Sequence, residues 1–332
     1  MPTTRLGRTG LVVSRLALGT MTFGLQTDEP TSHRILDKAA AAGIDFIDVA
    51  DVYPLGGTLE TAGRTEAIVG RWLKAQGRER YVVATKAVGK MGPHAWNQGA
   101  SRKHLLSAID ASLARLQTDH VDLYQLHSDD RTTPLDETLE ALDTIVRSGR
   151  ARYIGVSNFL AYRIALALGR AELQRLTKFV SVQPRYSLLF REIERELLPL
   201  VGDEGLAVIP YNPLAGGLLT GKYRGADAAP EQNTRFTLGT AGSMYQDRYW
   251  NERCFASVAQ LNKIADEAGV PLATLAVAWV MANPLITAPL LGASRPEQLD
   301  ATLAAAQYAL DPTLKQRLDE LTAEYRKGDA PR

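Results

Sequence analysis

Eight times along the 332 residues, a short apolar run rich in β-branched side chains is followed by a longer segment whose apolar positions recur at helical spacing. No other feature constrains the fold as strongly. Strands separated by helix-length segments cannot pair as tight hairpins. Each needs a crossover, and crossovers give a parallel sheet with helices outside it. The strand runs fall at 15–20, 45–49, 81–86, 121–127, 153–157, 179–183, 207–211 and 288–291. The helical segments lie near 31–43, 62–76, 101–116, 134–149, 159–169, 191–204, 271–283 and 295–304. Gly43, Gly77 and Gly149 stand where helices stop, a position that favours a left-handed residue. Eight such units predict an α/β fold, a (β/α)8 TIM barrel, with 1–332 as a single domain.

Three stretches lie outside this alternation. The opening RLGRTGLVVS reads as two extended runs joined around Arg8, Thr9 and Gly10, an N-terminal β-hairpin ahead of the barrel. Residues 211–251 form the longest stretch without regular pattern, too long for a passive connection, so a functional loop is expected there. Two extra helices, 252–268 and 312–326, exceed the eight units and are expected to pack outside the barrel.

The charge balance narrows the partners. With 38 Lys+Arg against 37 Asp+Glu the formal net charge is +1, and no run of like charge offers a footprint for nucleic acid or an anionic membrane. The single cysteine, Cys254, excludes an internal disulfide and any Cys-based structural zinc site. No stretch reaches the roughly eighteen apolar residues of a membrane span. A cytoplasmic protein acting on a small molecule is expected; the sequence indicates no oligomeric state.

In a barrel of parallel strands the C-terminal strand ends meet on one face, and that face carries the chemistry. The residues there are Asp48, Tyr53 just beyond it, Lys86, His127, Ser157 with Asn158, Gln183, Tyr211 with Asn212, and Gly292 with Ser294. Polar strand ends alone are ordinary. Asp48 and Lys86 are not, because they sit in the apolar runs FIDVA and YVVATK, and an unpaired buried charge costs several kcal/mol. The two strands are neighbours, so an Asp48–Lys86 pair is expected. An ammonium beside a phenol favours the phenolate, so the Tyr53 pKa is expected below its free value of about 10, towards the range of a general acid. His127, if neutral, can donate a hydrogen bond to a carbonyl oxygen and orient it. Phe23, Met91, Trp96, Tyr245 and Trp250 lie in segments that reach the same face.

These residues resemble the aldo-keto reductase family. The likeness runs from about Arg5 to about residue 325 through RLGRTGLVVSRLALGTMTFG, FIDVADVY, VVATK, DLYQLH, GVSNF, SVQPRYSLL, IPYNPLAGGLLTGKY and LLGASRPEQL, in family order. The resemblance implies a catalytic tetrad of Asp48, Tyr53, Lys86 and His127, and reduction of a carbonyl substrate, an aldehyde or ketone, by hydride transfer from NADPH with no metal. It implies that Ser157, Asn158 and Gln183 hold the nicotinamide carboxamide and that the ring stacks on Tyr211. It further implies that Asn212, Leu214, Gly216, Gly217 and Leu218 wrap the pyrophosphate with Gly292 and Ser294 close by, and that Lys222, Arg295 and Gln298 surround a 2′-phosphate. Asn158 has a structural alternative as a helix N-cap.

Two departures stand out. Ala301 and Thr302 occupy positions where the family often has an acidic residue and Asn near the adenine, and the usual His-x-Pro-Asp pattern is replaced by His127, Ser128, Asp129 and Asp130. Two other functions fit parts of the pattern: an NADPH-binding barrel that regulates a membrane partner, as in one branch of the resemblance, and a Schiff-base lyase using Lys86.

Overall fold

The computed structural model describes residues 1–327. A two-stranded antiparallel hairpin, β1 (Thr3–Arg5) and β2 (Val12–Ser14), precedes eight parallel strands. These are β3 (Ala17–Gly19), β4 (Phe46–Asp48), β5 (Val82–Ala87), β6 (Val121–Leu126), β7 (Ala151–Ser157), β8 (Ser181–Gln183), β9 (Ala207–Val208) and β10 (Leu290–Gly292). They pair in the order β10-β3-β4-β5-β6-β7-β8-β9. Backbone bonds from Ala288 N to Val208 O (3.3 Å) and Leu290 N to Pro210 O (2.9 Å) join the two ends, so the sheet closes into a barrel.

The barrel helices are α1 (Glu29–Ala41), α2 (Arg64–Gln76), α3 (Arg102–Leu116), α4 (Leu135–Arg147), α5 (Ala161–Gln174) and α6 (Leu197–Glu204). After α7 (Gly242–Tyr249) and α8 (Glu252–Glu267) come α9 (Leu272–Met281), α10 (Leu299–Ala304) and α11 (Pro312–Leu321). Gly43, Gly77 and Gly149 end their helices with φ of 85, 91 and 80°, a conformation open to glycine at no steric cost. The hairpin and both extra helices, α8 and α11, are present as expected. No single described helix is long and apolar enough to cross a membrane.

Period-two alternation sorts the strand residues. Ala17, Phe46, Ala84, Leu123 and Ala207 form an inner layer, closed from below by the fully buried Leu6 of the hairpin connection. Leu18, Ile47, Val83, Tyr124 and Val182 face the helices instead. One step further along the inward row come Asp48, Lys86, Gln125 and Gln183, so the strand geometry alone gathers four polar side chains above an apolar floor.

Two local readings differ from expectation. The stretch 211–251 contains α7 and three 3₁₀ turns, Ala215–Thr220, Arg235–Thr237 and Gly239–Ala241. The short helix is held by tertiary packing of Tyr245 and Tyr249, both buried, which leaves little local period to detect. Asn158 is not a helix cap, since α5 begins at Ala161 with Leu160 at its N-cap.

Candidate active site

Strand β4 carries Asp48 and β5 carries Lys86, and both side chains are buried. The Lys86 ammonium donates to Asp48 Oδ1 and, at 2.8 Å, to the Val49 carbonyl. The second Asp48 oxygen accepts from Gln183 Nε2 at 2.9 Å and from Gln125 Nε2 at 3.2 Å. The Asp48 carboxylate therefore accepts from three side chains that fix its orientation. Lys86 in turn lies 5.1 Å from the centroid of the Tyr53 ring, and that ring meets the His127 imidazole edge-on at 5.7 Å. The four expected catalytic side chains are thus neighbours.

The electrostatics correct one expectation. The Tyr53 phenol is not pulled down; burial first, and then the Asp48 charge, push its pKa well above the ordinary value. The Lys86 charge is spent on Asp48 and meets the face of the ring, so desolvation wins. Tyr53 keeps its proton, as an acid must before it acts. Burial and the nearby Lys86 drive the His127 imidazole down to about 3, so it stands neutral and able to donate a hydrogen bond.

Tyr53 and His127 open into a cavity of about 650 Å³ at the C-terminal face. Its wall at the catalytic end includes Ser157, Asn158, Gln183, Tyr211 and Asn212. Ser157 Oγ donates to Gln183 O at 2.8 Å, Tyr211 OH donates to Asn158 Oδ1 at 2.8 Å, and Asn158 Nδ2 donates to His127 O at 2.9 Å. Along the middle of the cavity run Leu214, Gly216, Gly217 and Gly292. The chain takes φ of 70° at Gly216 and 101° at Gly217, and a Cβ on Gly216 would press on the Tyr245 ring at 3.0 Å. At the far end stand Lys222, Ser294, Arg295 and Gln298, with Gln298 Oε1 accepting from Ser294 N at 2.8 Å. Burial, and the charge of Arg295 against the opposing charge of Glu231, lower the Lys222 pKa. Ala301 and Thr302 line the same end.

Two expected site residues do not line this cavity. Leu218 is buried in the hydrophobic core, because the turn at Gly216 and Gly217 sends its side chain inward. Lys86 lies behind Tyr53, fully buried. Of the five large residues whose segments reach this face, either to wall a pocket or as loop packing, Tyr245 alone lines the cavity; Phe23 is in the core, and Trp96 is half exposed and stacks on His94.

The sequence profile of the aldo/keto reductase family matches residues 15–323. The chain belongs to the aldo/keto reductase family. It is similar to the uncharacterized oxidoreductase YrpG of Bacillus subtilis (strain 168), 43% identical over 97% of this chain and 96% of the relative. It is also similar to protein tas of Escherichia coli (strain K12), 37% identical over 97% of both chains. A probable voltage-gated potassium channel subunit beta of Arabidopsis thaliana is 35% identical over 95% of both. The fold and the oxidoreductase class follow from this membership.

This aldo/keto reductase carries site residues that sequence reasoning missed. Gln125 braces Asp48 from inside the apolar run VDLYQL, and the argument applied to Asp48 reaches it equally well. Arg235 and Arg248 also line the cavity, and Arg235 Nη1 is buried with no hydrogen-bond partner among the described residues. Nothing in the patternless stretch around them marks either one. Asp51 is a further buried carboxyl close to Tyr53 in sequence, its pKa raised by burial and by Glu66.

Proposed function

We propose that this aldo/keto reductase reduces an aldehyde or ketone to an alcohol, NADPH supplying the hydride when bound and Tyr53 supplying the proton. The observation that carries this reading is a phenol held protonated, beside a neutral imidazole and an ion-paired lysine, in a cleft that four cations, Lys222, Arg235, Arg248 and Arg295, also line. Tyr53 gives its proton to the carbonyl oxygen as negative charge develops there. His127 donates a hydrogen bond to the same oxygen, and the buried Lys86 places positive charge behind the phenolate that remains. Asp48, Gln125 and Gln183 keep Lys86 in place.

The cleft suits the cofactor on chemical grounds. Asn212 Nδ2 and Arg235 Nη1 are buried donors with no partner among the described residues, both in the wall of the cleft. Ser157 and Asn158 would hold the carboxamide, and Gln183, whose amide nitrogen donates to Asp48 and Gln125, would offer it an oxygen. Tyr211 would stack under the ring. Asn212, Leu214, Gly216, Gly217, Gly292 and Ser294 would border the pyrophosphate, with Arg235 as its counter-charge, while Lys222 and Arg295 would take the 2′-phosphate. A Schiff-base reading needs a reachable amine, and Lys86 is fully buried with its Nζ bonded to Asp48 and Val49. Similarity to a potassium channel subunit beta supports a second reading, a cofactor-binding barrel that acts on a membrane partner.

NADPH oxidation followed at 340 nm against a panel of aldehydes and ketones separates the readings. Tyr53→Phe is expected to leave cofactor binding in place and lower kcat by about a hundredfold or more, the scale of general acid catalysis. Retention of most of the kcat removes Tyr53 from the chemistry. Absence of turnover across the panel, with cofactor bound, favours the regulatory reading.

A further inference from the structure

The charged side chains that line the cleft are Asp48, Lys222, Arg235, Arg248, Arg295 and Glu297. Asp48 is already paired with Lys86, and Glu297 sits on the short turn next to Arg295 at the far end. Cations therefore dominate, and their positions along the cleft differ. Lys222 lies close enough to Arg295 and to Glu231 to feel both charges. The Arg235 guanidinium lies beside Gly292 at the end of β10, with its Nη2 3.9 Å from where a Cβ on that glycine would stand.

Arg248 lines the same cleft beside Tyr211, while the charge of Arg235 reaches the Tyr53 phenol. The charges of Arg248 and Arg185 lower the pKa of the Tyr211 phenol against the upward push of burial. Tyr211 is bonded to Asn158 and Asn158 to the carbonyl of His127, so two hydrogen bonds connect the neighbour of Arg248 to a catalytic residue. Arg248 projects from α7, which Tyr245 and Tyr249 pin into the core on either side of it in sequence. It makes none of the ion pairs of the described residues and is only partly exposed.

A partly desolvated guanidinium at this place has no anion to meet from the cofactor. On the reading above, the negative charges of NADPH belong to its pyrophosphate and 2′-phosphate, which lie along the other cations. The nicotinamide carries no negative charge, and its oxidised form is positive. An arginine beside it disfavours the oxidised cofactor unless an anion arrives with the substrate.

We infer that Arg248 receives a carboxylate carried by the substrate, so that the preferred substrate is an aldehyde or ketone bearing an acidic group near the carbonyl. This rests on the reductase reading and adds a substrate class to it. Arginine suits the role because its planar fork can bind a carboxylate through two parallel hydrogen bonds. Being fixed on a pinned helix, it acts as a selector at one end of the substrate while Tyr53 and His127 hold the carbonyl at the other.

The test compares kcat/KM with NADPH for 3- and 4-carboxybenzaldehyde, each against its own primary amide, which matches it in size and lacks the charge. The acid is expected to be preferred by about tenfold or more in at least one pair, the scale of a charge-assisted hydrogen bond. The preference should shrink in high salt. Arg248→Gln is expected to bring the acid-to-amide ratio to within about twofold of one, and Arg248→Lys, which keeps the charge and loses the fork, to retain part of it. A purely structural Arg248 predicts the other pattern, with acid and amide falling together in Arg248→Gln and the ratio unchanged. That result overturns the inference, as does equal use of acid and amide by the wild type in both pairs, while in either case turnover of the amides leaves the reductase reading standing. Failure of all four aldehydes to turn over counts against the reductase reading, and this inference falls with it.

Discussion

Replacing Lys86 by Met keeps most of the stem volume and removes the ammonium, so the change isolates the buried pair with Asp48. In the wild type Lys86 is fully buried and Asp48 is 1% exposed. Breaking a buried pair by removing one partner costs about 3–5 kcal/mol, because the other charge is left uncompensated. Here the Asp48 carboxylate would keep its bonds from Gln183 at 2.9 Å and Gln125 at 3.2 Å, each worth about 1.5–3 kcal/mol to a charged acceptor. The lower end of the range is therefore expected, about 3 kcal/mol. At roughly 2 °C per kcal/mol for a chain of this size, Tm should fall by about 6 °C. Asp48→Asn/Lys86→Met removes both charges and should lose less than the two single losses added together, by about 2 kcal/mol. Thermal melts of the four proteins, followed by circular dichroism, give the comparison. If the losses simply add, or if Lys86→Met melts with the wild type, the pair is solvated and the geometry has been misread. Reduction should be abolished in Lys86→Met whichever way the stability falls.

Arg295→Ala is expected to weaken NADPH by about tenfold or more and leave NADH nearly unchanged, since only NADPH carries the phosphate that Arg295 and Lys222 would share; equal weakening of both cofactors in a fluorescence titration removes the clamp. For His127, the folded imidazole titrates at about 3 against an ordinary value of 6.5, so the folded state binds fewer protons between those values. Its contribution to stability is therefore fully present above about pH 6.5 and is lost as pH falls towards 3, and His127→Gln should flatten that part of the Tm profile. An inflection of kcat/KM near pH 6.5 that disappears in His127→Gln would show the imidazole to be charged in the working range.

The parts of this site that could be read from sequence are those that strand periodicity dictates. Asp48 and Lys86 lie two residues beyond Phe46 and Ala84 on the inward row, so a charge inside an apolar run there has nowhere to go except the barrel interior. Gln125 obeys the same rule two residues beyond Leu123, but a neutral amide in a strand carries a smaller burial cost than a charge and so gives a weaker signal in the sequence. The direction of the Tyr53 pKa was not legible at all. Proximity to Lys86 in the fold suggests a depressed phenol, but the sign depends on whether that ammonium is free or already bonded to Asp48, which only three-dimensional geometry decides. Leu218 fails for a related reason, since one left-handed pair, Gly216 and Gly217, reverses which side of the loop faces the cleft. Arg235 and Arg248 were hidden more deeply. Their segment has little local period because its conformation is set by aromatic contacts made across the fold, with Phe236 packing on Tyr223 and Trp250, and Tyr245 and Tyr249 buried beneath. The cations that distinguish one end of the cleft from the other thus stand on the element whose placement depends least on its own sequence neighbours. A change at Tyr245 or Phe236 should accordingly alter ligand preference without touching any side chain of the tetrad.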